Sequence, residues 1–162
     1  MCDSEYKILD HVIGRGSFGV VYLGMHKTGK IVAIKTEEKE HKKRHILNHE
    51  YSIIRSVQKK LLAPPGINKQ CSFWEDNDKC YLAIDLMGPN LDSLHKICKR
   101  TFSLKTTLML AEQMIGLIRF YHNNDIIHRD IKPSNFLVSY DLPHKHISLV
   151  DFGLSKKYRI KG

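Results

Sequence analysis

Positions 126–153 read IIHRDIKPSNFLV, a short linker, then ISLVDFG. Apolar runs flank a polar segment, and the pattern predicts a loop leading into one strand, with a second strand over 147–150. A strand pair of this kind brings three oxygen-bearing side chains, Asp130, Asn135 and Asp151, to one edge of a cleft. Hard cations such as magnesium take oxygen ligands and commonly bind through one or two carboxylates plus the phosphates of a substrate. The stretch is a candidate phosphoryl-transfer centre. Such a centre needs further parts: a cover for the phosphates, a cation to hold them and a pocket for a base.

The N-terminal third supplies matching pieces. Ile13 is followed by Gly14-Arg15-Gly16-Ser17-Phe18-Gly19-Val20-Val21, a G-x-G-x-x-G-x-V pattern. A dinucleotide-binding fold uses similar glycine spacing but needs a helix directly after it. Here β-prone runs follow over 20–23 and 31–34, joined by a turn at Thr28-Gly29-Lys30. The glycines therefore fall in a hairpin, as a flap of backbone over phosphates with Phe18 at its tip. Glycines without side chains let the main chain approach phosphate oxygens closely. Lys35 closes the run Val32-Ala33-Ile34-Lys35 and is placed to pair with the α- and β-phosphates, given an acid to hold it. Glu37, Glu38 and Glu40 read as exposed members of a solvated charge run. Ile46, His49, Ile53, Ile54 and Val57 follow helical spacing, and Glu50 lies beside that stripe, so Glu50 is the expected partner of Lys35.

Pro64-Pro65-Gly66 breaks this helix. Strands are expected over 72–74 and 80–86, and Met87-Gly88-Pro89 then marks a boundary between a small β-rich lobe, 1–87, and a helical lobe, 88–162. A base stacked in the seam would meet backbone groups of Asp85 and Met87, with Ile84 at the back. A short helix is expected over 91–100. A longer one follows, capped by Ser103 and running to about His122. Its stripe of Leu104, Leu108, Ala111, Ile115 and Ile118 is expected to pack beneath the centre.

Composition narrows the partners. The 162 residues carry 26 Lys plus Arg against 17 Asp plus Glu, a net charge of +9. A basic surface attracts phosphate or acidic protein segments. With no recognition-helix, zinc or RNA-binding signature, no specific nucleic-acid partner is expected. Cys2, Cys71, Cys80 and Cys98 have no paired spacing, which points to a reducing compartment rather than a disulfide framework. The N-terminus has neither the apolar core of a signal peptide nor the second-position glycine of a myristoylation site. YRIKG is no prenylation box, and no apolar run approaches a membrane span, so an intracellular chain is expected. His41, His45 and His49 lie four apart in a polar segment and read as a solvated basic face rather than a zinc site, as do His144 and His146 around Lys145. His128, preceded by apolar residues, reads as a buried, hydrogen-bonded histidine.

Gly14-x-Gly16-x-x-Gly19-x-Val21, Val32-Ala33-Ile34-Lys35, His128-Arg129-Asp130-Ile131-Lys132-Pro133-Ser134-Asn135 and Asp151-Phe152-Gly153 occur in the order of the protein-kinase signatures, which the chain resembles. The lysine two after Asp130 looks like the serine/threonine type. Leu86-Met87-Gly88-Pro89-Asn90-Leu91, Phe102-Ser103-Leu104-Lys105-Thr106, Lys132-Pro133-Ser134-Asn135-Phe136-Leu137 and the run from Asp151 through Gly153-Leu154-Ser155-Lys156-Lys157-Tyr158 resemble the casein kinase I family.

The resemblance implies an α+β, bilobal kinase-like fold using ATP and Mg2+. It implies that Asp130 accepts or orients the substrate hydroxyl's proton and that Lys132 steadies the γ-phosphate. Asn135 and Asp151 would hold magnesium. Lys35, fixed by Glu50, would hold the α- and β-phosphates, while Val21, Ala33 and Leu137 would sandwich the adenine. Substrates would be proteins phosphorylated on Ser or Thr, acidic or already phosphorylated, in cytoplasm or nucleus; oligomeric state is left open. Because the sequence ends nine residues after Gly153 (162 − 153), the expectation is a complete small lobe with only the first part of the helical lobe, and apolar surface uncovered on the 103–122 helix. Lys156, Lys157 and Arg159 read as a solvated basic tail. A non-enzymatic nucleotide-binding or interaction module is the alternative.

Overall fold

The computed structural model describes residues 5–16, 19–39, 46–60, 63–140 and 146–159. Predictions at Ser17, Phe18, Glu40, His41, His45 and His144 lie outside these residues. The chain forms two compact units, Met1–Ser56 with Asn68–Leu86, and Val57–Ile67 with Met87–Gly162. The architecture is α+β.

In the first unit β1 (Tyr6–Gly16), β2 (Gly19–His26), β3 (Ile31–Glu38), β4 (Cys71–Glu75) and β5 (Lys79–Asp85) form a five-stranded antiparallel sheet in the order β1-β2-β3-β5-β4. Alternation along a strand decides its two faces. In β3, Val32 and Ile34 point to one face and pack with Tyr6, Tyr81 and Ala83, against which Trp74 and Ile8 lie. The ring of Trp74 stacks between Tyr6 and Tyr81 at centroid distances of 5.1 and 5.2 Å. Ala33 and Lys35 take the opposite face. The register sets Val21 and Leu82 beside Lys35 and Ile84 beside Ala33. The helix α1 (Ile46–Gln58) serves this second face, where Tyr51 stacks on Phe73 at 5.7 Å.

In the second unit α2 (Leu91–Ile97) is capped by Asn90, whose side chain accepts from the Ser93 amide. It stops short of the expected Arg100 because Lys99 and Arg100 adopt left-handed φ of 53° and 61°, which a right-handed helix cannot continue through. The long helix α3 (Leu104–Asn123) begins at Ser103, whose hydroxyl accepts from the Thr106 amide at 3.1 Å. Of the stripe expected to pack beneath the centre, Leu104, Leu108 and Ile115 are 75%, 60% and 65% exposed, in line with the uncovered apolar surface expected on this helix, and the helix buries Leu117 and Tyr121 instead. α3 is apolar on more than one face. It packs against β6 (Ile126–Ile127) and β8 (Ile147–Leu149), with Gln113 Oε1 accepting from the Ile147 amide at 3.0 Å and the Tyr121 ring meeting Phe152 at 4.7 Å. β7 (Phe136–Val138) pairs with β8, and β6 with β9 (Lys156–Lys157), both antiparallel. Lys156 and Lys157 of the expected basic tail are thus strand-paired through their main chain with exposed side chains, while Arg159 lies 3.8 Å from Asp125 Oδ1. Among the described residues no helix is long and apolar enough to cross a membrane.

Candidate active site

On the first unit, Gly14, Val21 and Lys35 lie side by side across β1, β2 and β3. Lys35 Nζ donates to both oxygens of Glu50, at 2.7 and 3.0 Å. The carboxylate is 1% exposed and the lysine side chain 17%. Two separate elements therefore fix one cation on the sheet face that also carries Val21 and Ala33. Ile13 and Arg15 are exposed on β1, and Arg15 registers with Val20. The glycines differ in what demands them. At Gly19, φ is +149° and a Cβ would fall 1.8 Å from the Thr36 carbonyl oxygen, so the fold itself requires glycine. At Gly16 a Cβ would meet nothing within 4 Å among the described residues. Packing among the described residues does not explain that glycine, and a position without a side chain suits main chain approached by a ligand.

Asp85 is held by its side chain. Oδ1 accepts Lys30 Nζ at 2.7 Å, and Oδ2 accepts the amides of Lys69 and Gln70. This pins the end of β5. Glu37, expected to be solvated, is partly buried and accepts the amides of Ile46 and Leu47 at 3.1 and 3.0 Å. Glu38 is exposed and pairs with Lys79, as expected of a surface charge.

On the second unit, the loop from β6 to β7 carries His128, Asp130, Lys132 and Asn135. His128 is buried. Its Nε2 lies 2.9 Å from the Val150 carbonyl, and its Nδ1 lies 3.3 Å from the Asp130 amide. A carbonyl only accepts and an amide only donates, so the hydrogen sits on Nε2. The ring also meets Phe152 edge-on at 4.9 Å. Lys132 Nζ is 2.7 Å from Asp130 Oδ2. Asn135, buried in a 3-10 turn (Pro133–Asn135), gives Nδ2 to the Asp130 carbonyl at 2.8 Å and to Asp130 Oδ2 at 3.0 Å. Neither acceptor can donate, which fixes the amide's orientation and turns its oxygen away from Asp130. The Lys132 ammonium, working against a burial penalty and followed by the Asn135 amide, holds the Asp130 carboxyl below the usual carboxylate range.

Asp151 follows Val150, whose amide donates to the Asn135 carbonyl at 3.0 Å, so the main chain brings Asp151 next to the Asn135 turn. Asp151 adopts φ 68° and ψ 67°. This left-handed geometry costs a non-glycine residue of order 1–3 kcal/mol and tends to persist where function uses it. Met87 Sδ accepts the Ser148 hydroxyl at 3.9 Å, while Gly88 and Val138 exchange main-chain bonds with their neighbours, Gly88 N to Val138 O and Val138 N to Pro89 O. Leu137 sits on this platform, bridged to Asn90 and paired with Ser148. The donor set suits magnesium: an amide oxygen and a carboxylate are hard ligands, few enough to leave positions for phosphates and water. Among the described residues, no three His, Cys, Asp or Glu side chains gather as a softer metal site would need.

The first unit presents a clamped lysine beside a glycine hairpin, and the second a carboxylate clamped by a lysine and an amide. The model of the protein kinase domain matches residues 7–162. The chain belongs to the protein kinase domain family, whose substrates are proteins.

Proposed function

We propose that this chain is an ATP- and magnesium-dependent protein serine/threonine kinase resembling the casein kinase I family. The observation that carries the reading is the Asp130 carboxylate, fixed between Lys132 Nζ at 2.7 Å and Asn135 Nδ2 at 3.0 Å. Its lowered pKa makes it an ionised but weak base. Such a group orients a Ser or Thr hydroxyl and receives its proton late, as the oxygen bonds to the γ-phosphorus and the bond to the β-phosphate oxygen breaks. Lys132 neutralises charge on the transferring phosphoryl. Lys35, held by Glu50, takes the charge of the α- and β-phosphates. The hairpin main chain around Ile13, Gly14, Arg15, Gly16, Gly19 and Val20 covers them, and Val21, Ala33 and Leu137 flank the adenine, whose edge meets the main chain of Asp85 and Met87. The Asn135 oxygen and the Asp151 carboxylate hold magnesium, which supplies charge neutralisation at the phosphates when bound.

The 1–87 segment handles nucleotide and the 88–162 segment handles transfer. Exposed Lys156, Lys157 and Arg159 and the net charge of +9 favour acidic or already phosphorylated substrates. A cytoplasmic or nuclear setting follows from the family resemblance.

The test is incubation of the purified chain with magnesium, labelled ATP and casein, beside Asp130→Asn. Label is expected on Ser and Thr of casein and is expected to fall by about 10²–10⁴ in the variant, with ATP binding retained. A folded chain that binds ATP yet transfers nothing would replace this reading with a binding module. Label on tyrosine would overturn the serine/threonine assignment.

A further inference from the structure

The helix α1 starts at Ile46 with amides that have no partners inside the helix, and its first turn contains no acidic residue. The negative charge that a helix N-terminus attracts comes instead from β3. Glu37 Oε1 accepts from the Ile46 amide at 3.1 Å and Oε2 from the Leu47 amide at 3.0 Å. Glu37 lies two residues beyond Lys35, so both side chains leave the strand on the same face.

Lys35 grips Glu50, four residues beyond Ile46. Two residues along a strand span roughly 6.8 Å, and four along a helix rise roughly 6 Å. The spacings match, so one strand edge holds one helix face at consecutive turns, by an ion pair at one point and a carboxylate on the helix end at the other. A helix fixed at two points can neither slide along the strand nor pivot about the ion pair.

We propose that Glu37 is a positioning residue that keeps Glu50 on Lys35 by anchoring the N-terminus of α1 to β3. It does not touch nucleotide. Its effect on transfer rests on the reading above, in which Lys35 handles phosphate, but its effect on Lys35 does not.

The experiment measures acetylation of Lys35 by an N-hydroxysuccinimide ester, read by mass spectrometry, in the wild-type chain, Glu37→Gln, Glu50→Gln and the double variant. Circular dichroism first establishes that each is folded at the labelling temperature. Glu37→Gln keeps the shape but loses the charge and one acceptor. It is expected to speed Lys35 acetylation on the order of three- to tenfold, the range a lost cap implies. The double variant is expected to label no faster than Glu50→Gln alone, because both changes act through one contact.

Unchanged Lys35 labelling in Glu37→Gln, with faster hydrogen exchange at Ile46 and Leu47, would reduce Glu37 to a helix cap and overturn the proposal. Factors that multiply in the double variant would overturn it too. Should Glu37→Gln fail to fold, Glu37→Asp, which keeps charge but shortens reach, is labelled against the same criteria. A wild-type chain that shows no phosphoryl transfer sinks the kinase reading while leaving the labelling result to decide Glu37 independently.

Discussion

Removing Lys35 should damage the fold more than removing Glu50, although both sever the same ion pair. Glu50 is 1% exposed and its two oxygens accept from Lys35 Nζ at 2.7 and 3.0 Å, whereas the lysine side chain remains 17% exposed. In Lys35→Met the carboxylate stays buried without its cation. Breaking a buried pair this way costs about 3–5 kcal/mol, and the partial exposure of Lys35 places the expected value near the low end, about 3 kcal/mol. In Glu50→Gln the ammonium can turn toward water, so the cost should be about 1 kcal/mol, that of one ordinary hydrogen bond. The double variant Lys35→Met with Glu50→Gln removes both charges and should recover most of the loss, leaving about 1 kcal/mol. For a chain of this length, 3 kcal/mol corresponds to a fall in Tm of roughly 6–12 °C. Urea unfolding followed by tryptophan fluorescence reads the relevant unit, because Trp74 is the only tryptophan and stacks in the same sheet. Equal losses in the two single variants, or a double variant no better than Lys35→Met, would show that the buried carboxylate is not what makes the pair asymmetric.

The glycine hairpin and an acidic turn give two further tests. Gly19→Ala places a methyl group 1.8 Å from the Thr36 carbonyl oxygen at a φ of +149° and should cost at least about 1–3 kcal/mol. Gly16→Ala meets none of the described residues and should shift stability by no more than about 0.5 kcal/mol, while raising KM for ATP; equal thermal losses in the two would refute the distinction. At Asp76, the Tyr81 hydroxyl and then the amides of Asp78 and Lys79 pull the carboxyl from its ordinary 3.8 down to about 2. A carboxyl whose pKa is depressed by folding contributes stability above its unfolded value and loses it as pH falls through the folded one. The Tm gap between wild type and Asp76→Asn should therefore be constant above about pH 4 and close toward pH 2, and a gap indifferent to pH would refute the assignment.

Much of this arrangement is legible from local pattern. Alternation in Val32-Ala33-Ile34-Lys35 separates core from site on β3, and helical spacing through Ile46, Ile53, Ile54 and Val57 carries Glu50 to the strand. Both are short-range properties, and the two elements have to meet because each has an apolar face to bury. What the pattern hides is long-range or ambiguous. Glu37 sits in a run of charges, and nothing local distinguishes a carboxylate that reaches a helix nine residues away from one in water. The helix α3 offers more than one apolar stripe, and periodicity cannot say which of Leu104-Leu108-Ile115 or Leu117-Tyr121 meets β6 and β8. The Asp85 side chain, holding Lys30 and two amides, gives no sequence signal at all.

The second unit shows why a motif names residues but not what steadies them. Asp125, Arg129 and Asp151 all adopt left-handed φ, of 62°, 68° and 68°, at a cost of order 1–3 kcal/mol each for a non-glycine residue. Each strained position lies on or beside a bond joining the loop of Asp130 to the segment around and after Asp151. The Asp125 carbonyl accepts the Tyr158 amide at 2.9 Å. Arg129 Nε donates to the Leu154 carbonyl at 2.6 Å. His128 Nε2 donates to Val150, whose own amide returns to Asn135. Most of these contacts end on main chain, so they constrain backbone path rather than residue type, and their cost is met only while both segments stay paired. Asp130 is therefore held in place by residues 150–158 as much as by Lys132 and Asn135. Displacing that segment would release the strain at Arg129 and Asp151 and the hold on the Asp130 carboxylate together.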